Sequence, residues 1–252
     1  MPATGQTITF MHYNDLHSHL NPHIDRASDG QGGARIEERG GVARAATLIQ
    51  CIRKDNPDSI VMNIGDTYHG GAEAWFTLGN AIVGPVNALG TDVGVPGNWD
   101  FGFGSTVFRL RYTDEPFADI IGITDQLKPT FKGIKRPNFP NLAANMSATL
   151  SGSSVFPATI TMDINGTRVG LIGLASDIVK FVYPLLAPAF GFTGEGLDAE
   201  NAELACRDLV NRHAKELRDA PLLTGGQRVF SRMYRCPRFG CPKPSALQYS
   251  TA

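Results

Sequence analysis

The chain has 252 residues, with 23 basic side chains against 24 acidic ones and a formal charge of −1. That balance excludes the basic footprint of a nucleic-acid binder, and no apolar run approaches the roughly 18 residues of a membrane span, so neither nucleic acid nor membrane is an expected partner. The length suits one α/β domain with a real core, and 28 Gly with 16 Pro fit long, shaped loops better than a helical bundle.

Residues 1–10 have no basic start, apolar stretch or cleavage-like site, so no secretory signal is expected and the compartment stays open. Thr7 to Tyr13 read as a first strand, with His12 on the face opposite Tyr13 as a buried histidine holding one hydrogen bond. The strand delivers Asp15 and His17, which stand at i and i+2. In an extended segment both side chains leave the same face, so a carboxylate and an imidazole can reach one cation. Residues 19–39 are polar and Gly-rich without periodicity and read as a loop over the site, in which His19 and His23 are solvated histidines rather than further ligands. After Gly40 and Gly41, the apolar residues Val42, Ala45, Ala46, Ile49 and Ile52 have the spacing of one buried helix face, ending before Asn56-Pro57.

A strand-length run at 60–64 follows, and Gly65 lets the backbone turn so that Asp66 stands at its carboxyl end, where a carboxylate can bridge two cations. Residues 75–89 have helical spacing, with Phe76, Ile82, Val83, Val86 and Leu89 as core positions and Pro85 as the break. Trp75 is read as packing. Asn98 follows the short segment 93–97, and its amide oxygen is a hard ligand. A helix over 105–112 capped by Ser105 comes next, then a loop over 120–141 and a short strand at 142–146. Asn165-Gly166 between 158–164 and 168–174 marks a hairpin, with Ser176-Asp177 at its end, and 198–217 read as a helix carrying His213.

Four cysteines do not suggest a disulfide framework in a chain of this size. Cys51 and Cys206 fall on apolar helical faces as small core residues, and the spacing of Cys236 and Cys241 is not that of a zinc ribbon. From Pro221 onward there is no Asp or Glu, while Arg228, Arg232, Arg235, Arg238 and Lys243 gather beside prolines. Residues 1–220 are therefore expected to carry the fold. Residues 221–252 form an atypical basic tail outside it, foreign to the fold as from a frame change.

Taken in order, Asp15-x-His17, Gly65-Asp66 and Gly97-Asn98-Trp99-Asp100, with Gly40-Gly41-Val42-Ala43-Arg44 and Leu142-Ala143-Ala144-Asn145, resemble the 5'-nucleotidase branch of the calcineurin-like metallophosphoesterases. Each motif alone occurs by chance in many proteins, and the resemblance rests on their order at strand ends. It implies part of a two-sheet α/β sandwich flanked by helices. It also implies two divalent ions (Mn, Zn, Mg or Fe), with Asp15 and His17 on the first, Asp66 bridging and Asn98 on the second. A pair of ions roughly 3.5–4 Å apart activates water near pKa 7 for in-line attack on a phosphoryl centre. The implied activity is hydrolysis of a small phosphate monoester or nucleotide by a metal-bound hydroxide.

The sequence departs from the family at two places. The third motif of the family carries a His oriented by the following acid, here Asp100; Trp99 stands in its position, and indole cannot carry a proton to a leaving group. His69, just after the bridging ligand, is the candidate substitute, against the reading of a loop histidine facing solvent. A Trp is also the residue of a related subset, the thiosulfate-oxidising hydrolases, which gives an alternative activity on sulfur oxyanions. The family's downstream His and Gly-His-x-His segments are absent, since no histidine follows His213. Weak metal affinity and a non-catalytic fragment form the third reading. Asn145 is expected near the second ion without ligating it.

Overall fold

The computed structural model describes residues 7–114, 128–149, 151–176, 178–182 and 189–192. Its organising element is a parallel sheet of β1 (Thr9–Tyr13), β4 (Ser59–Asn63) and β5 (Val93–Gly94), ordered β1-β4-β5. Thr9 aligns with Ser59 and Tyr13 with Asn63. Beyond β5 the ladder continues onto the chain at 140–142: Gly94 N–H donates to the Pro140 carbonyl at 2.9 Å and Leu142 N–H to the Gly94 carbonyl at 2.8 Å.

Alternation along the central strands sends side chains to two faces. On one face Ile60 joins Val93, Leu142 and Val169, with Phe10, Met62, Ile160 and Met162 packed around them. This face is covered by the antiparallel hairpin β7 (Thr159–Ile164) and β8 (Thr167–Ile172), closed by the expected Asn165-Gly166 turn with both residues at positive φ. On the other face Val61 packs with Ile49 and Leu89, against Met11, Tyr13, Ala45 and Ala46. Here the cover is α1 (Val42–Asp55), which stops before Asn56-Pro57 as its periodicity predicts. The result is the expected α/β arrangement of sheet on sheet with a helix outside.

Two further clusters support the loops at the sheet's carboxyl end. Tyr68, Ala74, Ile82, Val83, Val86 and Phe139 form one of them, under α2 (Ala72–Thr77) and α3 (Asn80–Asn87). Phe101 and Phe108 stack at 3.9 Å in the other, alongside Met146, Phe156 and Phe190. That cluster draws on α4 (Gly104–Tyr112) and the antiparallel pair β6 (Met146–Ala148) and β9 (Phe190–Phe192). Short helices α5 (Lys128–Phe131) and α6 (Val179–Val182) complete the described elements.

The structure corrects several sequence expectations. Residues 19–39 are not a loop throughout: β2 (Pro22–Ser28) and β3 (Ala34–Gly40) pair antiparallel. Both faces of this hairpin are polar and largely exposed, with Ile24 and Ile36 at 70% and 78%, so no apolar alternation announces it. The helical stretch at 75–89 breaks at Leu78-Gly79, both left-handed, and Pro85 sits inside α3. Phe76 and Trp75, assigned to packing, are 85% and 63% exposed.

Ser105 caps nothing, because α4 already begins at Gly104 and Phe103 is its N-cap. Asn145 lies in a turn before β6 rather than in a strand. Cys51, expected as a free core thiol, is disulfide-bonded. His12 is partly buried, but its Nδ1 has no hydrogen-bond partner among the described residues. Asp177, the 198–217 helix with His213, and the 221–252 tail lie outside the described residues.

Because Ile60 is fully buried between the two sheets, Ile60→Ala is expected to lower unfolding free energy by about 2–5 kcal/mol. Ile36→Thr on the exposed hairpin is expected to shift it by less than about 0.5 kcal/mol. Urea denaturation monitored by circular dichroism measures both.

Candidate metal centre

Parallel strands put all their carboxyl ends on one edge, and loops leaving that edge can converge. Pairing here runs past the strands themselves. Ile64 N–H donates to the Tyr13 carbonyl at 2.9 Å, Asp15 N–H to Gly65 at 3.1 Å, and His17 N–H to Asp66 at 2.9 Å. The first two loops are thus zipped together, residue by residue, before any side chain is considered. Asp15, His17 and Asp66 all have positive φ, of 53°, 41° and 56°, so none of them stays in extended backbone. Their side chains meet: one donor atom from each lies within 4.8 Å of the others. His17 Nε2 is 3.6 Å from Asp15 Oδ1 and 3.9 Å from Asp66 Oδ2.

The third loop is locked to the second by backbone contact. A Cβ on Gly65 would lie 2.3 Å from Gly97 N, and one on Gly97 would lie 2.2 Å from Asp66 Oδ1. Trp99 N–H donates to Asp66 Oδ1 at 2.8 Å. Asn98 therefore sits between two residues that touch Asp66. Behind this contact the Asp100 carboxylate is buried. It accepts from the N–H groups of Asp66, Thr67 and Gly97 at 2.9 Å and of Tyr68 at 3.1 Å. Asp100, expected among the catalytic groups, thus faces backbone, and orders the Asp66 and Asn98 loops from below.

Sequence reasoning missed Asn63, whose Oδ1 accepts from Gly65 N–H at 2.9 Å and Thr67 Oγ1 at 3.0 Å. Its signal was a polar residue at an inward position of an apolar strand. Asn145 is buried and doubly bonded to the Ala175 backbone, at 2.8 and 2.9 Å, which makes its contacts structural.

His69 is a half-buried ring in an aromatic cluster and not a solvated loop residue. It stacks on Trp99 at 5.3 Å and 28°, with Phe103 at 5.3 Å and Trp75 at 6.3 Å. Burial, with His17 nearby, lowers its pKa below the usual 6.5, so the ring is neutral at pH 7. His17 meets the edge of Trp99 at 6.0 Å. The Asp66 carboxyl is pushed up to about 6, first by burial and further by Asp100 and Asp15, against the Trp99 N–H bond and His17. Two carboxylates and an imidazole, with one carboxylate oxygen tied to backbone and the other free, form a donor set suited to a divalent cation of the Mn, Fe, Zn or Mg type.

The sequence profile of the calcineurin-like phosphoesterases matches residues 8–154. The chain belongs to that family, whose members use divalent metal ions. It is 29% identical to the 5'-nucleotidase of Bos taurus over 181 residues, covering 69% of this chain and 27% of the relative. It is 30% identical to the snake venom 5'-nucleotidase of Naja atra over 175 residues, 66% of this chain and 28% of that one. The chain thus spans little more than a quarter of these curated relatives. Among solved structures, the Haemophilus influenzae NAD nucleotidase superposes with a TM-score of 0.57 at 22% identity, covering 82% of this chain and 33% of that one. The sulfate thiohydrolase SoxB of Thermus thermophilus gives 0.58 at 16%, covering 86% and 43%. At these identities the superpositions establish a common fold.

Two substitutions probe the lock between the loops. Asp100→Asn turns an amide N–H₂ toward backbone donors and is expected to cost about 3 kcal/mol or more of stability, read by thermal or urea unfolding. Gly97→Ala drives a methyl into Asp66, and is expected to weaken Mn²⁺ binding at least about tenfold, measured by calorimetric titration.

Proposed function

We propose that this chain carries part of the metal site of a phosphoester hydrolase of the 5'-nucleotidase kind, acting on a small phosphate monoester or nucleotide. The observation that carries the reading is the convergence of Asp15, His17 and Asp66 within 4.8 Å at the carboxyl ends of parallel strands, in a member of this family. In the proposal Asp15 and His17 hold one divalent ion, Asp66 is shared, and Asn98 serves a second. Bound ions of this type supply positive charge to a phosphoryl oxygen and lower the pKa of water to about 7.

The chain's own groups have separable tasks. Trp99 N–H fixes Asp66 Oδ1, which leaves Oδ2 on the His17 side for a cation. Asp100 holds the loop backbones so that this orientation survives without a ligand. His69, with one N–H and one lone pair when neutral, is the candidate to donate a hydrogen bond to the leaving oxygen; Trp99 can only donate its indole N–H.

A second reading is favoured by one observation: the ring stacked on His69 at the edge of the centre is an indole. A leaving group that needs no proton, such as a sulfur anion, suits that arrangement, and action on a sulfur oxyanion carried by a partner is the alternative.

The test is turnover of p-nitrophenyl phosphate with added Mn²⁺. Activity is expected to vanish with chelator and to fall at least about a hundredfold in Asp66→Ala. His69→Gln is expected to lower kcat with little change in KM, because it removes a group used only as the bond breaks. Sulfate release from a thiosulfonate substrate without phosphatase activity selects the second reading. Metal uptake with neither turnover overturns both.

A further inference from the structure

Both tryptophans of the chain, Trp75 and Trp99, stand beside the candidate metal centre, and both are exposed. They belong to one aromatic group assembled from separate segments: His69 from the loop after Asp66, Trp75 from α2, Trp99 from the third loop and Phe103 from the N-cap of α4. His69 stacks on Trp99 and touches Phe103, while Trp75 lies 5.9 Å from Phe103 and 6.3 Å from His69. Phe76, next to Trp75 on α2, is exposed as well. Large rings left in water side by side mark a contact surface for another apolar body, because their burial is still to be gained.

The position of the rings says what that body is. Trp99 ties them to the centre, since its backbone N–H donates to Asp66 Oδ1 at 2.8 Å and its ring meets His17 at 6.0 Å. Under the hydrolase reading, on which this inference rests, whatever lies against the rings is the leaving group of the phosphoester. Aromatic faces and edges pair with a flat ring in offset or edge contacts that a sugar or alkyl chain does not offer. Leaving-group chemistry points the same way. A phenol ionises near pH 10, far below water and its alkyl relatives at about 15.7, so its oxygen departs as the anion. Trp75, Trp99 and Phe103 supply no titratable proton, and an indole N–H gives a hydrogen bond only.

We propose that the substrate is the phosphate monoester of a phenol, with its ring against Trp75 and Trp99 and its phosphoryl group at Asp15, His17 and Asp66. Trp75 is then a specificity-determining residue. In the reaction the oxygen of a water molecule bonds to phosphorus, the bond from phosphorus to the ring oxygen breaks, and the phenolate carries off that electron pair. One proton of the water stays on the inorganic phosphate, and the other reaches the phenolate through solvent.

Because the chain has no other tryptophan, the indole emission of the full chain reports on this surface alone. With Mg²⁺ present, the non-hydrolysable phenylphosphonate is expected to quench it saturably and to bind at least about tenfold more tightly than methylphosphonate. Trp75→Ala is expected to erase most of that difference and Trp75→Phe to retain it, with Trp99 as the reporter in both. In turnover, kcat/KM for phenyl phosphate is expected to exceed that for glycerol 2-phosphate and adenosine 5'-monophosphate at least about tenfold. Equal binding of the two phosphonates, a difference that survives Trp75→Ala, or faster hydrolysis of either alkyl ester overturns the proposal. Hydrolysis of all three esters without discrimination sinks this assignment and leaves the hydrolase reading standing. Discrimination between the phosphonates with no hydrolysis of any ester overturns the hydrolase reading, and the ester assignment with it.

Discussion

The buried Asp100 carboxylate is the constraint on which the centre depends. Four N–H groups from two different loops end on its two oxygens. These are backbone donors that would otherwise be buried without acceptors, each at a cost of about 1–3 kcal/mol. The buried guanidinium of Arg111, over the ring of Tyr68, adds opposing charge from behind. By holding Asp66, Thr67, Tyr68 and Gly97 in one arrangement, the carboxylate converts two flexible strand ends into one rigid platform. The glycine contacts reinforce this, since at Gly65 and Gly97 the loops approach too closely for any side chain.

Around that platform the chemistry is divided by depth. Asp66 is nearly enclosed, whereas the Asp15 side chain is 56% exposed. The rim is aromatic: the His69 ring touches Trp75, Trp99 and Phe103, and Trp75 also meets Phe103. Trp75 and Trp99 in this rim remain exposed, at 63% and 40%. Trp99 belongs to both regions, since its backbone binds Asp66 and its ring joins the rim.

Much of the fold was legible in the sequence because the signals were periodic. Val42 to Ile52 repeat as a helix face, Ile60 to Ile64 form a strand, and Asn165-Gly166 is a hairpin turn that needs no tertiary help. The three motifs that carry the candidate ligands stood out because each ends an apolar run. What escaped had no periodicity to read. The β2–β3 hairpin is polar on both faces, the helix break at Leu78-Gly79 depends on local left-handed geometry, and the pairing of Cys51 is a matter of distance in three dimensions. The choice between the two readings of His69, candidate donor or solvated loop residue, was not legible because its ring neighbours Trp75, Trp99 and Phe103 lie elsewhere in the sequence. The role of Asp100 as an acceptor for backbone, rather than a group turned toward substrate, is likewise invisible until the loops are folded over it.

The left-handed backbone at Asp15, His17 and Asp66 has a thermodynamic consequence. For residues with a Cβ this conformation stores strain, of order 1 kcal/mol each, and the strain is present before any ion arrives. A cation therefore meets donors already aimed, and little of its attraction is spent on ordering them. Ion binding to the folded chain alone would then act as a fastening whose strength grows with ion concentration. The segment proposed to hold the ion is the one where the bare polypeptide is under tension, so supply of an ion bound there would govern how durable the fold is.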